Sequence, residues 1–150
     1  MIEIYHNLFI GSADSRKNWL EIIVTAARDP WFKELNLPAT QLWYEDDKQL
    51  ILNLVDADDI SYIPIPLIEK ALNFIHNNIQ QHKILLHCNY GISRSPSVGF
   101  LYLLKHTDIF YSLSLGESIE KFRNIYKNWY PNRGMALFCI MYFKKIKGVI

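Results

Sequence analysis

Short hydrophobic runs separated by longer amphipathic stretches indicate strands that alternate with helices along this chain. Continuous apolar runs rich in β-branched residues predict buried strands at 21–25, 50–55 and 83–87. Near the start, the segments 2–5 and 8–10 predict a short pair of strands. The pattern therefore predicts a sheet of about four to five strands.

Helical spacing of apolar residues predicts the elements between and after these strands. Pro64 and Pro66 fit the first turn of a helix whose apolar face continues to Ile79. Ser114 and Glu117 fit a capping box at the start of a later helix. The predicted helices cover residues 12–19, 64–79, 98–105, 114–129 and 132–145. Strands alternating with helices predict an α/β fold, in which a mostly parallel sheet carries helices on both faces.

Residues 27–49 break this regular pattern, because they combine two prolines, two tryptophans and mixed charges without a steady period. We expect an irregular excursion here, with a short strand near 42–44. Large aromatic residues chiefly supply buried area, so we expect those of the excursion to pack onto the core. Rimming an active-site cleft is the alternative. The residues concerned are Trp31, Phe32, Trp43 and Tyr44.

Composition and charge narrow the function. The chain has 150 residues, half of them hydrophobic, and we expect one packed domain over 1–150. The 16 basic and 15 acidic residues leave a formal net charge of +1. This balance argues against broad electrostatic binding to nucleic acid or to a membrane, so a bound anion must be held by a local site. The oligomeric state is not indicated.

The two cysteines, Cys88 and Cys139, lie far apart and do not suggest a disulfide framework. The first residues lack a basic region followed by an apolar run, and no window approaches a membrane-spanning length. We therefore expect a soluble protein in a reducing, cytoplasmic compartment, where a reactive thiol survives. Cys139 falls in an apolar helix and is expected in the core, with redox pairing to Cys88 as the alternative.

The segment from Cys88 to Arg94 has the composition and setting of a phosphate-binding loop. It follows an apolar strand and precedes a helix, so backbone N–H groups and the helix dipole can point at an anion. Gly91 permits the tight backbone path, and Arg94 can give two parallel hydrogen bonds to phosphate oxygens. The same cradle favours a nucleophilic thiolate at Cys88, and Ser95 could donate to its sulfur.

The string from 87 to 95, His-Cys-Asn-Tyr-Gly-Ile-Ser-Arg-Ser, resembles the signature loop of the dual-specificity protein phosphatases. Segments 7–12, 50–58 and 131–135 are similar to further elements of that family, and 53–97 looks especially like small bacterial and viral members. The resemblance implies the family's fold and a two-step reaction through phosphocysteine, with no metal and no cofactor. It also implies phosphorylated proteins as substrates, carrying phosphotyrosine and phosphoserine or phosphothreonine.

The resemblance also assigns expected roles to single residues. The phosphate would be bound by Asn89, Tyr90, Gly91, Ile92, Ser93 and Arg94. Cys88 would be the nucleophile, and Ser95 would help its sulfur to leave. His87 is expected to order the loop as a buried donor, which overlaps with an ordinary core histidine. Asn132 is expected to cap a helix or to tether the neighbouring loop.

A general acid is expected on the acidic loop 56–59, because an alkoxide or phenoxide leaving group needs a proton. Asp56, Asp58 and Asp59 all follow a predicted strand. Counting from that strand and back from the helix at Leu67 places the family's acid best on Asp58. Asp56 and Asp59 are the alternatives, since such counting errs by a few residues.

Other functions of such a loop stay open from the residues alone. A phosphate-binding module with little turnover would need the cradle but no acid, and sulfur transfer also uses a loop cysteine. Asn89, Tyr90, Ile92 and Ser93 are all neutral, which disfavours phosphoinositides, because lipid-directed relatives carry basic residues there. The near-zero net charge disfavours RNA 5′ ends.

Overall fold

Six strands form one mixed sheet in the computed structural model, which describes residues 1–148. They are β1 (Ile2–Tyr5), β2 (Leu8–Gly11), β3 (Ile22–Thr25), β4 (Trp43–Glu45), β5 (Gln49–Leu52) and β6 (Ile84–His87). Their order across the sheet is β1-β2-β6-β3-β5-β4. The central strands β2, β6, β3 and β5 run parallel, and the edge strands β1 and β4 are antiparallel to their neighbours.

This sheet confirms the expected α/β fold, although six strands exceed the expected four to five. The short strand expected near residues 42–44 is present as β4, which lies within the excursion at 27–49 and pairs with β5 through Tyr44 and Ile51. The strand β5 ends at Leu52, earlier than the expected end at residue 55. After Leu52, Asn53 donates hydrogen bonds to three carbonyl groups of the excursion, from its backbone N–H to Leu42 and from its side chain to Ala39 and Gln41.

Within residues 1–148, five α-helices and two 3-10 turns connect and cover these strands. The helices are α1 (Trp31–Glu34), α2 (Ile65–Asn78), α3 (Arg94–His106), α4 (Leu115–Ile125) and α5 (Arg133–Lys147). The 3-10 turns are Ala13–Arg16 and Ile60–Tyr62. The first turn replaces the longer helix expected at 12–19, because the backbone is extended again at Lys17.

The capping box of α4 is confirmed, with reciprocal hydrogen bonds between Ser114 and Glu117 of 2.9 and 3.1 Å. The helix nevertheless ends at Ile125 rather than near residue 129. Tyr126 takes extended backbone and turns the chain toward the loop that follows β6. Residues after α4 are thereby available to support that loop.

The two faces of the sheet are covered unequally. Alternate residues of a strand point to opposite faces, so neighbouring residues of β5 enter different clusters. Leu50 and Leu52 enter the larger hydrophobic core, which contains residues of α2, α3, α4 and α5. Ile51 faces a smaller cluster, whose other buried members are Ala27, Trp31, Phe32 and Cys88. We expect helices on both faces, and among residues 1–148 the helical elements of the second face are the short α1 and the turn Ala13–Arg16.

The aromatic residues of the excursion pack inward. Trp31 and Phe32 are buried, Tyr44 packs against the smaller cluster, and Trp43 packs against the larger core. Cys139 is buried in the larger core, where burial raises the pKa of its thiol to about 12. The two cysteines therefore belong to different clusters. No helix within residues 1–148 has the length and apolar character needed to cross a membrane.

The carboxyl ends of β2, β3 and β6 meet at one edge of the sheet, because these strands are parallel neighbours. His87, the last residue of β6, is level with Gly11 on one side and Thr25 on the other. The loop that begins at Cys88 therefore starts between two strand ends, at the edge where open α/β sheets bind their ligands.

Candidate active site

The loop between β6 and α3 wraps around the sulfur of Cys88. The backbone N–H of Gly91 donates to Cys88 Sγ at 3.3 Å, and Ser95 Oγ lies 3.2 Å from the same sulfur. Gly91 has a φ of +72°, which favours glycine, and a Cβ there would lie 2.9 Å from the Gly11 carbonyl oxygen. The tight path of this loop thus depends on Gly91.

The surroundings of Cys88 favour its thiolate. Burial by itself would raise the pKa of this thiol, since only 3% of the residue is exposed. The hydrogen bonds from Ser95 and Gly91 and the positive charge of Arg94 act in the opposite direction and lower the pKa below its ordinary value. A lowered thiol pKa is what a cysteine nucleophile requires at neutral pH.

Arg94, the first residue of α3, is held in place by two hydrogen bonds within the protein. Its Nη1 donates to the Leu54 carbonyl at 2.9 Å, and its Nη2 donates to Asn89 Oδ1 at 2.6 Å. The Asn89 side chain also donates to the Asp29 carbonyl at 3.2 Å, which ties the excursion to the loop. Each terminal nitrogen carries a second N–H that these bonds do not use, so the fork can still bind an anion.

A cavity of about 200 Å³ opens above Cys88. It is lined by Asp56, Cys88, Tyr90, Ile92, Ser93, Arg94, Tyr130 and Asn132. The structure thus gathers most of the residues that the sequence predicts for phosphate binding and chemistry. Two lining residues, Tyr90 and Tyr130, are strongly exposed and form an aromatic rim that the sequence analysis does not predict as such.

Asp58, the favoured position for the general acid, lies outside this cavity. It lines a separate surface depression with Asp59, Ile60 and Arg133. Asp59 caps the 3-10 turn by accepting from the Ser61 backbone N–H at 2.9 Å.

Of the three aspartates, the structure brings Asp56 to the cavity, where its carboxylate accepts a hydrogen bond from the Asn132 side chain. β5 ends at Leu52 rather than at residue 55, the strand end from which the count to Asp58 is made.

His87 lies directly behind the nucleophile and is fully buried. Its Nδ1 is 2.9 Å from the Cys88 carbonyl oxygen. Its Nε2 is 3.0 Å from both Thr25 Oγ1 and Arg16 Nη1. Burial chiefly lowers the pKa of this imidazole to about 4, and the charge of Arg16 adds to the effect, so the ring is neutral at physiological pH.

The segment after α4 supports the loop from the other side. Tyr126 donates its hydroxyl to the Gly91 carbonyl at 2.5 Å, and the Trp129 indole donates to Ser97 Oγ at 3.0 Å. Burial raises the pKa of Tyr126 to about 12, with a contribution from the charge of Cys88, so the hydroxyl keeps its proton and remains a donor.

Two backbone groups complete this support. The N–H of Tyr130 donates to the Ile92 carbonyl at 2.8 Å, and the N–H of Asn132 donates to Ser93 Oγ at 2.9 Å. Four of these supporting residues lie outside the site that the sequence predicts: Arg16, Thr25, Tyr126 and Tyr130. For Tyr126 and Tyr130, the sequence does offer a signal, which is the cluster of aromatic residues just before Pro131.

Comparison with known proteins agrees with this geometry. The family model described as dual specificity phosphatase, catalytic domain, matches residues 25–144. A probable dual specificity protein phosphatase of Dictyostelium discoideum is 30% identical over 138 residues, covering 85% of this chain and 57% of the relative. Human dual specificity protein phosphatase 26 is 27% identical over 141 residues, covering 88% of this chain. The match covers 62% of that relative, so the chain spans only part of both.

Solved structures show the same architecture. The crystal structure of human DUSP28 superposes with a TM-score of 0.68 at 18% identity, covering 99% of both chains. A leucine rich repeat and phosphatase domain containing protein from Entamoeba histolytica gives a TM-score of 0.68 at 18% identity. That match covers 98% of this chain and 92% of the other. At 18% identity, this structural similarity shows that the fold is shared.

Proposed function

Because the chain belongs to the dual specificity phosphatase family, we propose that it hydrolyses phosphomonoesters of proteins through a covalent phosphocysteine. The observation that carries the proposal is the setting of Cys88, whose sulfur lies at the cavity that Arg94 lines and accepts hydrogen bonds from the loop. The substrate class is phosphotyrosine together with phosphoserine or phosphothreonine. Arg94 and the loop residues 89–93 hold the phosphate.

In the first step, the thiolate of Cys88 attacks phosphorus. The S–P bond forms as the bond between phosphorus and the leaving oxygen breaks, and a carboxylic acid gives that oxygen its proton. We assign this proton to Asp56, because it lines the cavity with Cys88 while Asp58 and Asp59 line a different depression. Asn132 holds the Asp56 carboxyl in place.

In the second step, water attacks the phosphocysteine. The Asp56 carboxylate takes a proton from the water as its oxygen bonds to phosphorus, and the S–P bond breaks to return the Cys88 thiolate. Ser95 Oγ, 3.2 Å from the sulfur, can donate to the departing thiolate. The products are inorganic phosphate and the dephosphorylated residue, so no redox partner is required.

The cellular setting follows from the same chemistry. A low-pKa thiolate is readily oxidised, so we propose a reducing compartment such as the cytoplasm. Phosphorylated proteins are the proposed partners. The formal net charge of +1 supports neither nucleic acid nor a membrane surface as a general partner.

A comparison of the two cysteines tests the proposal. Purified wild type should hydrolyse p-nitrophenyl phosphate and release phosphate from phosphopeptides in EDTA. Cys88→Ser should lose essentially all turnover, yet still bind a phosphopeptide. Cys139→Ala removes a thiol that is buried in the core, away from the cavity, and should keep Cys88-dependent turnover. Binding without turnover in the wild type would instead identify a phosphate-binding module.

A further inference from the structure

Arg16 reaches the back of the nucleophile from an element that the proposed chemistry does not use. It is the last residue of the 3-10 turn Ala13–Arg16, and its guanidinium is partly buried. Nη1 donates to Thr25 Oγ1 at 2.7 Å and lies 3.0 Å from His87 Nε2. The guanidinium carbon also lies 5.4 Å from the centre of the Trp31 ring.

Donor and acceptor chemistry fixes the proton on His87. Nδ1 faces the Cys88 carbonyl at 2.9 Å, and because a carbonyl only accepts, Nδ1 must carry the hydrogen. In the neutral ring, Nε2 is then a bare acceptor. The guanidinium of Arg16 can only donate, so its contact with Nε2 matches this tautomer and no other neutral one.

We propose that Arg16 is a positioning residue that holds His87 as the Nδ1–H tautomer and thereby fixes the carbonyl and thiolate of Cys88. The hydrogen-bonded path runs from Arg16 to His87 and from His87 to the backbone of Cys88. Thr25 and Trp31 each contact both Arg16 and His87. Thr25 Oγ1 accepts from Arg16 and lies 3.0 Å from His87 Nε2, and the Trp31 ring meets the His87 ring edge-on at 5.2 Å.

The positive charge of Arg16 also favours the neutral Nδ1–H form of His87. A protonated His87 would place a second cation 3.0 Å from Arg16, so the arginine opposes the imidazolium as well as the other tautomer. The acidic group whose charge reaches Arg16 is Glu34, on α1. Both contacts come from the single nitrogen Nη1, which is held in place by the planar guanidinium over the Trp31 ring, and lysine has no such plane.

The chain offers a matched control for the test. Lys17 is adjacent to Arg16 and carries the same charge, but its side chain is 80% exposed and faces Asp14 at 4.0 Å. Lys17→Met therefore removes one positive charge without touching His87. Arg16→Met removes the same charge together with the contacts, and Arg16→Lys keeps the charge but lacks the planar guanidinium.

All variants are made in the Cys139→Ala background, so that iodoacetamide reports only Cys88. We expect Arg16→Met to move the midpoint of alkylation against pH to a higher value, because the sulfur loses its fixed position among its donors. Nitrogen chemical shifts of His87 should show mixed tautomers or an imidazolium. Arg16→Lys should lie between Arg16→Met and wild type, and Lys17→Met should match wild type.

This inference rests on the proposed function, but both readouts are independent of turnover. On phosphopeptides, kcat/KM of Arg16→Met should fall roughly tenfold, the size typical when an orienting partner of a metal-bound histidine is removed. A folded Arg16→Met or Arg16→Lys variant with the wild-type His87 tautomer and the wild-type alkylation midpoint would overturn the inference. A wild type without turnover would overturn the proposed function alone.

Discussion

The side-chain amide of Asn132 donates a hydrogen bond to Oδ1 of Asp56, joining two loops that lie 76 residues apart in the chain. The Asn132 side-chain oxygen accepts from the Met135 N–H at 2.9 Å, which caps α5. Its own backbone N–H donates to Ser93 Oγ. Asn132 therefore both caps a helix and tethers a loop, and it links Asp56, the phosphate-binding loop and α5.

The first prediction concerns Asp56 as the proton donor. Asp56→Asn should slow a phenyl or alkyl phosphate roughly 10²–10⁴-fold, the usual contribution of a positioned acid. An activated aryl phosphate should be slowed much less, because its leaving group departs without a proton. Steady-state kinetics on a series of aryl phosphates of increasing leaving-group pKa measures this dependence.

Asp58→Asn and Asp59→Asn are the controls for this prediction. Both residues line the neighbouring depression, so both variants should show the wild-type dependence on the leaving group. If Asp58→Asn alone shows the steep dependence, the loop rearranges on binding substrate and the assignment to Asp56 fails.

The loop from His87 to Ser95 was predictable because its chemistry is contiguous in sequence. Within a few residues the chain passes from a strand end through a glycine to an arginine at the start of a helix. Short-range sequence patterns therefore predict that the sulfur and its hydrogen-bond donors lie together. The fold class was predictable for a similar reason, since apolar runs and helical spacing are local patterns. The six strands include β4, whose three residues match the short strand expected near 42–44.

The supporting residues were not predictable, because only the tertiary fold brings them near. Arg16 and Thr25 belong to a turn and a strand that precede His87 by 71 and 62 residues. Tyr126 follows Gly91 by 35 residues. The strand count favours Asp58, whereas the structure places Asp56 at the cavity, and the contact that holds Asp56 comes from Asn132, 76 residues away.

The second prediction uses the contact between α5 and the acid loop. A Cβ on Gly134 would lie 2.2 Å from the Ala57 carbonyl oxygen, so Gly134→Ala must push this backbone away. Because Ala57 follows Asp56, we expect the acid to be displaced and the rate on a phenyl phosphate to fall by up to about a hundredfold. The leaving-group dependence should approach that of Asp56→Asn.

Gly116 supplies the matched control, since no atom lies within 4 Å of a Cβ built there. Gly116→Ala should keep wild-type kinetics and stabilise α4 by roughly 0.5–1 kcal/mol, the usual gain in a helix. Chemical denaturation measures that gain. If Gly134→Ala is folded and retains wild-type kinetics on the poor substrate, the close packing does not position the acid.

The third prediction separates the two roles of Ser95. Its hydroxyl stabilises the Cys88 thiolate, so Ser95→Ala should raise the pKa of the thiol and shift the alkylation midpoint to higher pH. The acidic limb of the activity profile should move in the same direction, because more base is needed to form the thiolate. Breakdown of the phosphocysteine should also slow, because the departing sulfur loses its donor.

Rapid-quench kinetics tests the second role of Ser95 directly. In Ser95→Ala, p-nitrophenol should appear in a burst followed by slow turnover, since the covalent intermediate accumulates. Ser95→Thr keeps the hydroxyl and is the conservative control, with recovery of both the midpoint and the steady rate. A variant without a burst and with an unchanged midpoint would leave Ser95 as a packing residue.

The last prediction concerns the aromatic rim of the cavity, formed by Tyr90 and Tyr130. These residues are 79% and 66% exposed and line the cavity above Cys88. Tyr130 has a fixed backbone, since its N–H donates to the Ile92 carbonyl. In phosphotyrosine, an aromatic ring separates the phosphate from the main chain, so with the phosphate at Cys88 the ring would lie at the level of this rim. Phosphothreonine has a shorter side chain, so its main chain would lie there instead.

We therefore expect the rim to favour phosphotyrosine. Aromatic pairs contribute about 0.5–1.5 kcal/mol beyond buried area, so Tyr90→Ala and Tyr130→Ala should each lower the phosphotyrosine-to-phosphothreonine ratio of kcat/KM by roughly 2- to 10-fold. Tyr90→Phe and Tyr130→Phe should keep the ratio, because the ring makes the contact. Tyr111 is 74% exposed but does not line the cavity, so Tyr111→Ala should also keep it. Matched phosphotyrosine and phosphothreonine peptides of one sequence supply the measurement, and an unchanged ratio in both alanine variants would show that the rim does not select the substrate.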